Sequence, residues 1–123
     1  MSDVEIRVLA TRVRDFLDEY WLAGDCRIYF NGMCWEHSIG DEGWKRIDDI
    51  DPKDYFEYAG GIISMSFEGI LYDIFNGYTN PVGQELEKKF GQLLRKHNCY
   101  YELGNSWNLS IHEIRSDDND AKN

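Results

Sequence analysis

The sequence predicts an α+β domain, an antiparallel sheet of about five strands with two longer helices packed on one face. Three observations carry that prediction. Asn31-Gly32 separates two apolar, β-prone runs, CRIYF and MCWEH, and both central residues of a type I′ turn need positive φ, so a two-residue hairpin is expected there. Two segments, one opening at Ser2 and one at Asn80-Pro81, repeat apolar residues at steps of three and four, the period of an amphipathic helix. A second pair of β-prone runs, CYYEL and WNLSIHEI, flanks Gly104-Asn105-Ser106, and hairpins make antiparallel neighbours.

Taken in order, Ser2-Asp3-Val4-Glu5 has the form of a capping box, with Ser2 accepting from the Glu5 amide and Glu5 reaching back. Ile6, Leu9, Val13, Phe16, Leu17 and Tyr20 form the apolar stripe of the first helix, and Gly24 is the expected residue closing it. The hairpin register then pairs Phe30 with Met33, Ile28 with Trp35 and Cys26 with His37 on a buried face. Tyr29 with Cys34 and Arg27 with Glu36 fall on a half-exposed one.

Beyond the hairpin the character changes. Residues 36–57 hold eight acids against three bases, a net of −5 out of −10 for the whole chain. Asp51-Pro52-Lys53-Asp54 reads as a helix start, with Asp51 as cap and Pro52 at the first position, running to Ala59 and stopped by Gly60-Gly61. Residues 62–68 alternate Ile63, Met65 and Phe67 against Ile62, Ser64 and Ser66, the pattern of a strand. If that strand lies at an edge, it offers a surface for dimerisation. Over Gly69 to Asn76, Ile70, Leu71 and Ile74 fit one helical face and are read as a short helix capped by Gly77, the alternative being a second hairpin turn at Asn76-Gly77. The second long helix runs to about Lys96, with Val82, Leu86, Phe90, Leu93 and Leu94 inward and Asn98 as its stop. In the last hairpin Trp107, Leu109 and Ile111 share a face.

A chain of 123 residues, 42% hydrophobic and 15% aromatic, is large enough for one core without metals or disulfides. That core is expected within residues 1–114, and 115–123, apolar only at Ala121, is expected to be a disordered acidic tail. No signal peptide or membrane span is expected, because no basic segment leads into a continuous apolar run. The expected setting is the cytoplasm of a bacterial host cell, with the three cysteines reduced.

Charge narrows the function. An acidic chain has little to offer nucleic acid or an anionic membrane, because phosphate binding requires lysine and arginine. A basic protein is the expected partner. A zinc pair at Cys26 and His37 matches no finger spacing, so neither metal nor other cofactor is expected. Carboxylate pairs such as Glu36 with Asp41, or Asp48 with Asp51, leave a small hydrolase as one alternative, although dense acids in a Gly-rich segment are usually solvated. The candidate partner-binding residues are Asp41, Glu42, Trp44, Asp48, Asp49, Asp51, Asp54, Tyr55, Glu57 and Tyr58, with the tail acids beside them. Aromatic anchors among steering charges are the composition of a protein interface. The other reading of Trp44 and Phe56 is that they close the core beneath a solvated loop.

In its acidity, its single-domain length and the run Asp48-Asp49-Ile50-Asp51 with Asp54 close by, the chain resembles the small phage-encoded anti-CRISPR inhibitors. That resemblance is one of character and carries over no individual residue. It implies a non-enzymatic inhibitor that occupies the basic nucleic-acid channel of an effector nuclease as a DNA mimic. The physical basis is charge density, since B-DNA carries a negative charge about every 1.7 Å of axis. An immunity protein neutralising a nuclease toxin follows the same logic and is the other alternative.

Overall fold

The computed structural model describes residues 1–115. Its order is α1 (Asp3–Glu19), β1 (Cys26–Phe30), β2 (Met33–His37), β3 (Lys45–Asp48), a 3-10 turn (Pro52–Asp54), β4 (Ile63–Phe67), α2 (Ile70–Phe75), α3 (Val82–Lys96), β5 (Cys99–Leu103) and β6 (Asn108–Glu113). All strand pairs are antiparallel, in the order β3-β2-β1-β4-β6-β5. The fold is the expected α+β class, with six strands rather than about five. The tail lies outside the described residues apart from Arg115.

The first hairpin has the register its Asn-Gly turn dictates, from Phe30 opposite Met33 to Cys26 opposite His37. Asn31 and Gly32 both take positive φ, 50° and 75°. Ile28, Met65 and Leu109 form one row across three neighbouring strands, and that face is the floor of the main core. Leu9, Val13 and Leu17 of α1, Leu71 of α2 and Phe90 and Leu94 of α3 close over it, all essentially inaccessible to solvent. Removing each such side chain from water is worth about 1.5–3 kcal/mol, so this layer supplies most of the cohesion.

The capping box at Ser2 and Glu5 is present in both directions. The end of α1 differs from expectation. The terminating left-handed residue is Trp21, at φ 58°, rather than Gly24. Trp21 donates to the Asp18 carbonyl and Leu22 to the Leu17 carbonyl, at 3.3 and 2.8 Å, the paired bonds of a Schellman ending. Leu22 is drawn into the core beside Leu17, and its burial is what selects a turn at Trp21, ahead of the glycine.

Four further corrections concern the sheet and its cover. Residues 45–48 form β3, an edge strand paired to β2, where no strand was expected; its residues are exposed apart from half-buried Ile47, so it carries no apolar alternation to read. The helix expected from Asp51 to Ala59 is a single 3-10 turn, with Asp51 accepting from the Lys53 amide at 2.9 Å, because Phe56 and Ala59 are drawn down onto the sheet. Strand β4 lies inside the sheet between β1 and β6 and offers no free edge; the edges are β3 and β5. Trp107 does not share the face of Leu109 and Ile111, but packs on the opposite layer. Two smaller differences lie on the helices. Val82 and Ile70 are exposed, and Gly83 and Phe75 take the inward places.

The second face of the sheet is therefore covered too. Residues 51–62 cross it as a strap, with Phe56 and Ala59 pressed on Tyr29 and Cys34. Tyr29 and Cys34, expected to be half-exposed, are buried. Polar ties hold the strap, since Ser110 Oγ and Asn108 Nδ2 both donate to the Tyr58 carbonyl, at 2.8 and 3.3 Å.

Candidate functional site

The predicted residues divide between three places. Asp41, Glu42 and Trp44 lie on the β2–β3 connection. There Asp41 accepts from the Ser38 amide at 3.0 Å, Trp44 Nε1 donates to Asp18 Oδ1 at 3.0 Å, and the Trp44 ring packs on His37 at 5.3 Å. Trp44 is half-buried against the main core, so its indole ties β3 to α1. At the far end of β3 stand Asp48, Asp49, Asp51 and Asp54, all exposed. A four-residue strand spans about 13 Å at roughly 3.3 Å per residue, which separates this group from Glu42. Tyr55, Glu57 and Tyr58 continue along the strap, and both tyrosines are more than half exposed.

Local geometry explains this acidic edge. Asp49 has φ 54°, a left-handed conformation that aspartate tolerates better than most residues, and it turns the chain from β3 into the strap. The Ile50 amide then donates to the Gly32 carbonyl at 3.1 Å, fastening the turn to the first hairpin. Asp51 spends its carboxylate on the cap. Among the described residues, the ion pair of this group is Asp48 with Arg46, at 2.8 Å and well exposed, a pair of small energetic weight in water.

A cavity of about 410 Å³ lies on the strapped face, lined by the predicted Tyr55 together with residues outside the candidate set. Its floor is the row Glu36, Arg27 and Ser66, neighbours across β2, β1 and β4. Arg27 Nε donates to Glu36 Oε2 at 2.6 Å, Arg27 Nη1 to the Tyr29 hydroxyl at 3.1 Å, and the guanidinium lies 5.3 Å from the centre of the Tyr55 ring. These bonds push the Arg27 pKa up, with the Tyr29 hydroxyl as the first cause. Burial pushes the Tyr29 hydroxyl up as well, against the opposing effect of Arg27. The wall is aromatic. Phe56 meets Tyr29 and Trp107 edge-on, each at 5.6 Å, and Trp107 is anchored where its carbonyl accepts from the Phe67 amide at 2.8 Å. At the rim the Glu68 amide donates to the Asp25 carbonyl at 2.9 Å, bringing two acidic residues side by side. The cross-strand placing of Arg27 against Glu36 was readable in the hairpin; Asp25, Ser66, Glu68 and Trp107 arrive by long-range pairing and gave no local signal.

Cys26 and His37 do face each other across β1 and β2, yet their polar atoms are engaged elsewhere. Cys26 Sγ lies 3.8 Å from the Leu22 carbonyl, and His37 Nδ1 lies 3.0 Å from the Gly24 carbonyl, which can only accept, so Nδ1 carries the proton. No group of three or more His, Cys, Asp or Glu positioned to hold a metal ion occurs among the described residues. Nor, among them, is any helix long and apolar enough to cross a membrane. Of the carboxylates considered for hydrolysis, Glu36 is held by Arg27 and Asp51 by its cap. Comparison with family models, curated proteins and solved structures finds no significant match to the chain.

Proposed function

We propose that this protein is a non-enzymatic binding module that engages the basic, nucleic-acid-binding surface of another protein through the edge formed by β3 and the strap. The observation that supports this reading is the exposure of Asp48, Asp49, Asp51, Asp54 and Glu57 along one continuous stretch of backbone, with Tyr55 and Tyr58 exposed among them. Carboxylates a few residues apart present charge at a spacing comparable with a phosphate backbone. Their field speeds encounter over about 8 Å at physiological salt, and the tyrosines supply contact area that slows release.

The target class is a nuclease. A CRISPR effector is the instance that the resemblance names, and a nuclease toxin, neutralised as by an immunity protein, is the alternative. In either case the inhibitor takes the place of DNA and acts without chemistry of its own.

The test compares the wild type with a triple variant, Asp49→Asn, Asp54→Asn and Glu57→Gln, chosen because none of the three carries a structural hydrogen bond from its side chain among those described. Folding is expected to change by no more than about 0.5 kcal/mol. The purified wild type is expected to capture a basic nuclease from bacterial lysate at low salt, to release it at high salt and to block its DNA binding; the triple variant is expected to do none of these. Inhibition that survives in the triple variant, or that is indifferent to salt, overturns the reading.

A further inference from the structure

We infer that the cavity beside the strap is a receptor for an arginine side chain. This rests on the proposed function in one respect, that the arginine is presented by the basic partner; the site itself is argued from its own walls. The cavity, about 410 Å³, falls within the range of small-molecule sites, and such sites combine apolar walls with a few convergent polar groups. Here the wall is Tyr55, Phe56 and Trp107, and the polar groups are unequal in sign.

The charged residues lining it are Asp25, Arg27, Glu36 and Glu68, with His37 beside them. Arg27 is neutralised by Glu36 at 2.6 Å, which leaves Asp25 and Glu68 without a cation in the cavity. One Asp25 oxygen accepts from the Ile39 amide at 2.8 Å; Glu68 is exposed, and its backbone amide, not its side chain, makes the bond to Asp25. An anion entering here meets two surplus carboxylates, whereas a cation meets those carboxylates and π-faces.

The chain already places cations on its aromatic rings, Lys89 over Tyr20 at 5.3 Å among them, and the flat wall favours the planar one. Arg14 lies over Trp35 at 4.2 Å and Arg27 over Tyr55 at 5.3 Å. A guanidinium is flat, weakly hydrated and able to stack while donating in its plane. An incoming arginine would lay its guanidinium on the Trp107 side of the wall and donate to Glu68 and to the remaining Asp25 oxygen, its methylene stem filling the space above Phe56. Tyr55 belongs both to this wall and to the exposed strap, so an arginine seated here continues directly from the acidic edge.

The experiment is an NMR titration with N-acetylarginine methylamide, following the Trp107 indole N–H, assigned with a Trp107→Phe variant. The signal is expected to shift saturably, while the uncharged citrulline analogue and inorganic phosphate leave it unmoved. Glu68→Gln is expected to weaken the probe about three-fold, the scale of an exposed ion pair, and Trp107→Leu about ten-fold, the scale of a cation–π contact. The Glu68 side chain carries no hydrogen bond or ion pair among those of the described residues, so Glu68→Gln decides the matter if Trp107→Leu fails to fold. No saturable shift in the wild type, or an equal shift with citrulline, overturns the inference. The two proposals fail separately. Probe binding that persists when no nuclease is inhibited leaves the cavity standing and removes the partner; salt-sensitive inhibition without probe binding does the reverse.

Discussion

Ser110 and Tyr58, fifty-two residues apart, are joined by a 2.8 Å hydrogen bond from the Ser110 hydroxyl to the Tyr58 carbonyl. Through it the centre of β6 holds the acidic strap against the sheet. The same carbonyl accepts from Asn108, whose Oδ1 takes the Asn105 amide at 2.7 Å. One buried asparagine thus orders the β5–β6 turn and the strap together. Ser110→Ala is expected to cost about 1 kcal/mol, the net worth of a single such bond. Asn108→Ala is expected to cost about 2 kcal/mol because it removes two such bonds, from the Asn105 amide and to the Tyr58 carbonyl. Urea unfolding gives both values, and hydrogen exchange of residues 55–62 is expected to accelerate in both variants; equal costs would mean that the strap is held by packing instead.

Packing has its own test in Phe56. Its ring is buried and meets Tyr29 and Trp107 edge-on, so it is the main apolar pin of the strap and the back wall of the cavity. Phe56→Ala is expected to destabilise the protein by about 3–4 kcal/mol. Phe56→Leu keeps most of the volume and is expected to cost less than half of that. A loss under 1 kcal/mol for the alanine variant, measured by urea unfolding, would show that the second layer contributes little to the fold.

Residues differ in how far their local sequence reports their surroundings in the fold. The Asn31-Gly32 hairpin and the capping box at Ser2 were legible to the residue because local chemistry alone dictates them. Strand β3 was not, since Lys45, Arg46, Ile47 and Asp48 lie at an edge with nothing but Ile47 half-buried, and only the partner strand makes them a strand. Tyr29 and Cys34 looked half-exposed because the residues that cover them, Phe56 and Ala59, come from much later in the chain. The acids of the candidate site were visible as composition, but their separation into two ends of β3 was not. The cavity was hidden for the same reason, because Asp25, Glu68 and Trp107 meet through the β1–β4 pairing and the approach to β6.

Three thiols give a pH signature. Burial pushes Cys26 up to about 12 and Cys34 and Cys99 up to about 11, from an ordinary value of 9. A thiol whose pKa is raised by folding holds its proton more tightly in the native state. The stability linked to it is complete below pH 9 and is lost as pH climbs from 9 toward 11–12, where the unfolded chain ionises first. Thermal unfolding is expected to be insensitive to these groups up to pH 9 and to fall steadily beyond it. Aromatic disulfide reagent at pH 8 is expected to modify no cysteine in the native protein and all three in denaturant. One thiol reacting at the rate of a free peptide would place it at the surface.

Trp21 supplies a prediction with the opposite sign. It occupies the left-handed position that ends α1, at φ 58°, and is 89% exposed, so its side chain buries little to offset the clash of a Cβ with the following carbonyl. That clash costs about 1–2 kcal/mol for an ordinary L-residue, and glycine at this position avoids it. Trp21→Gly is therefore expected to raise the stability of the protein by about 0.5–1 kcal/mol, the gain being trimmed because glycine also frees the unfolded chain. Leu22→Ala is the control: Leu22 is buried beside Leu17, which closes the same turn, and its loss is expected to cost about 2–4 kcal/mol. If Trp21→Gly lowers the unfolding midpoint instead, the indole contributes packing that outweighs the backbone strain. A gain in stability would leave an exposed tryptophan that the fold tolerates at a cost.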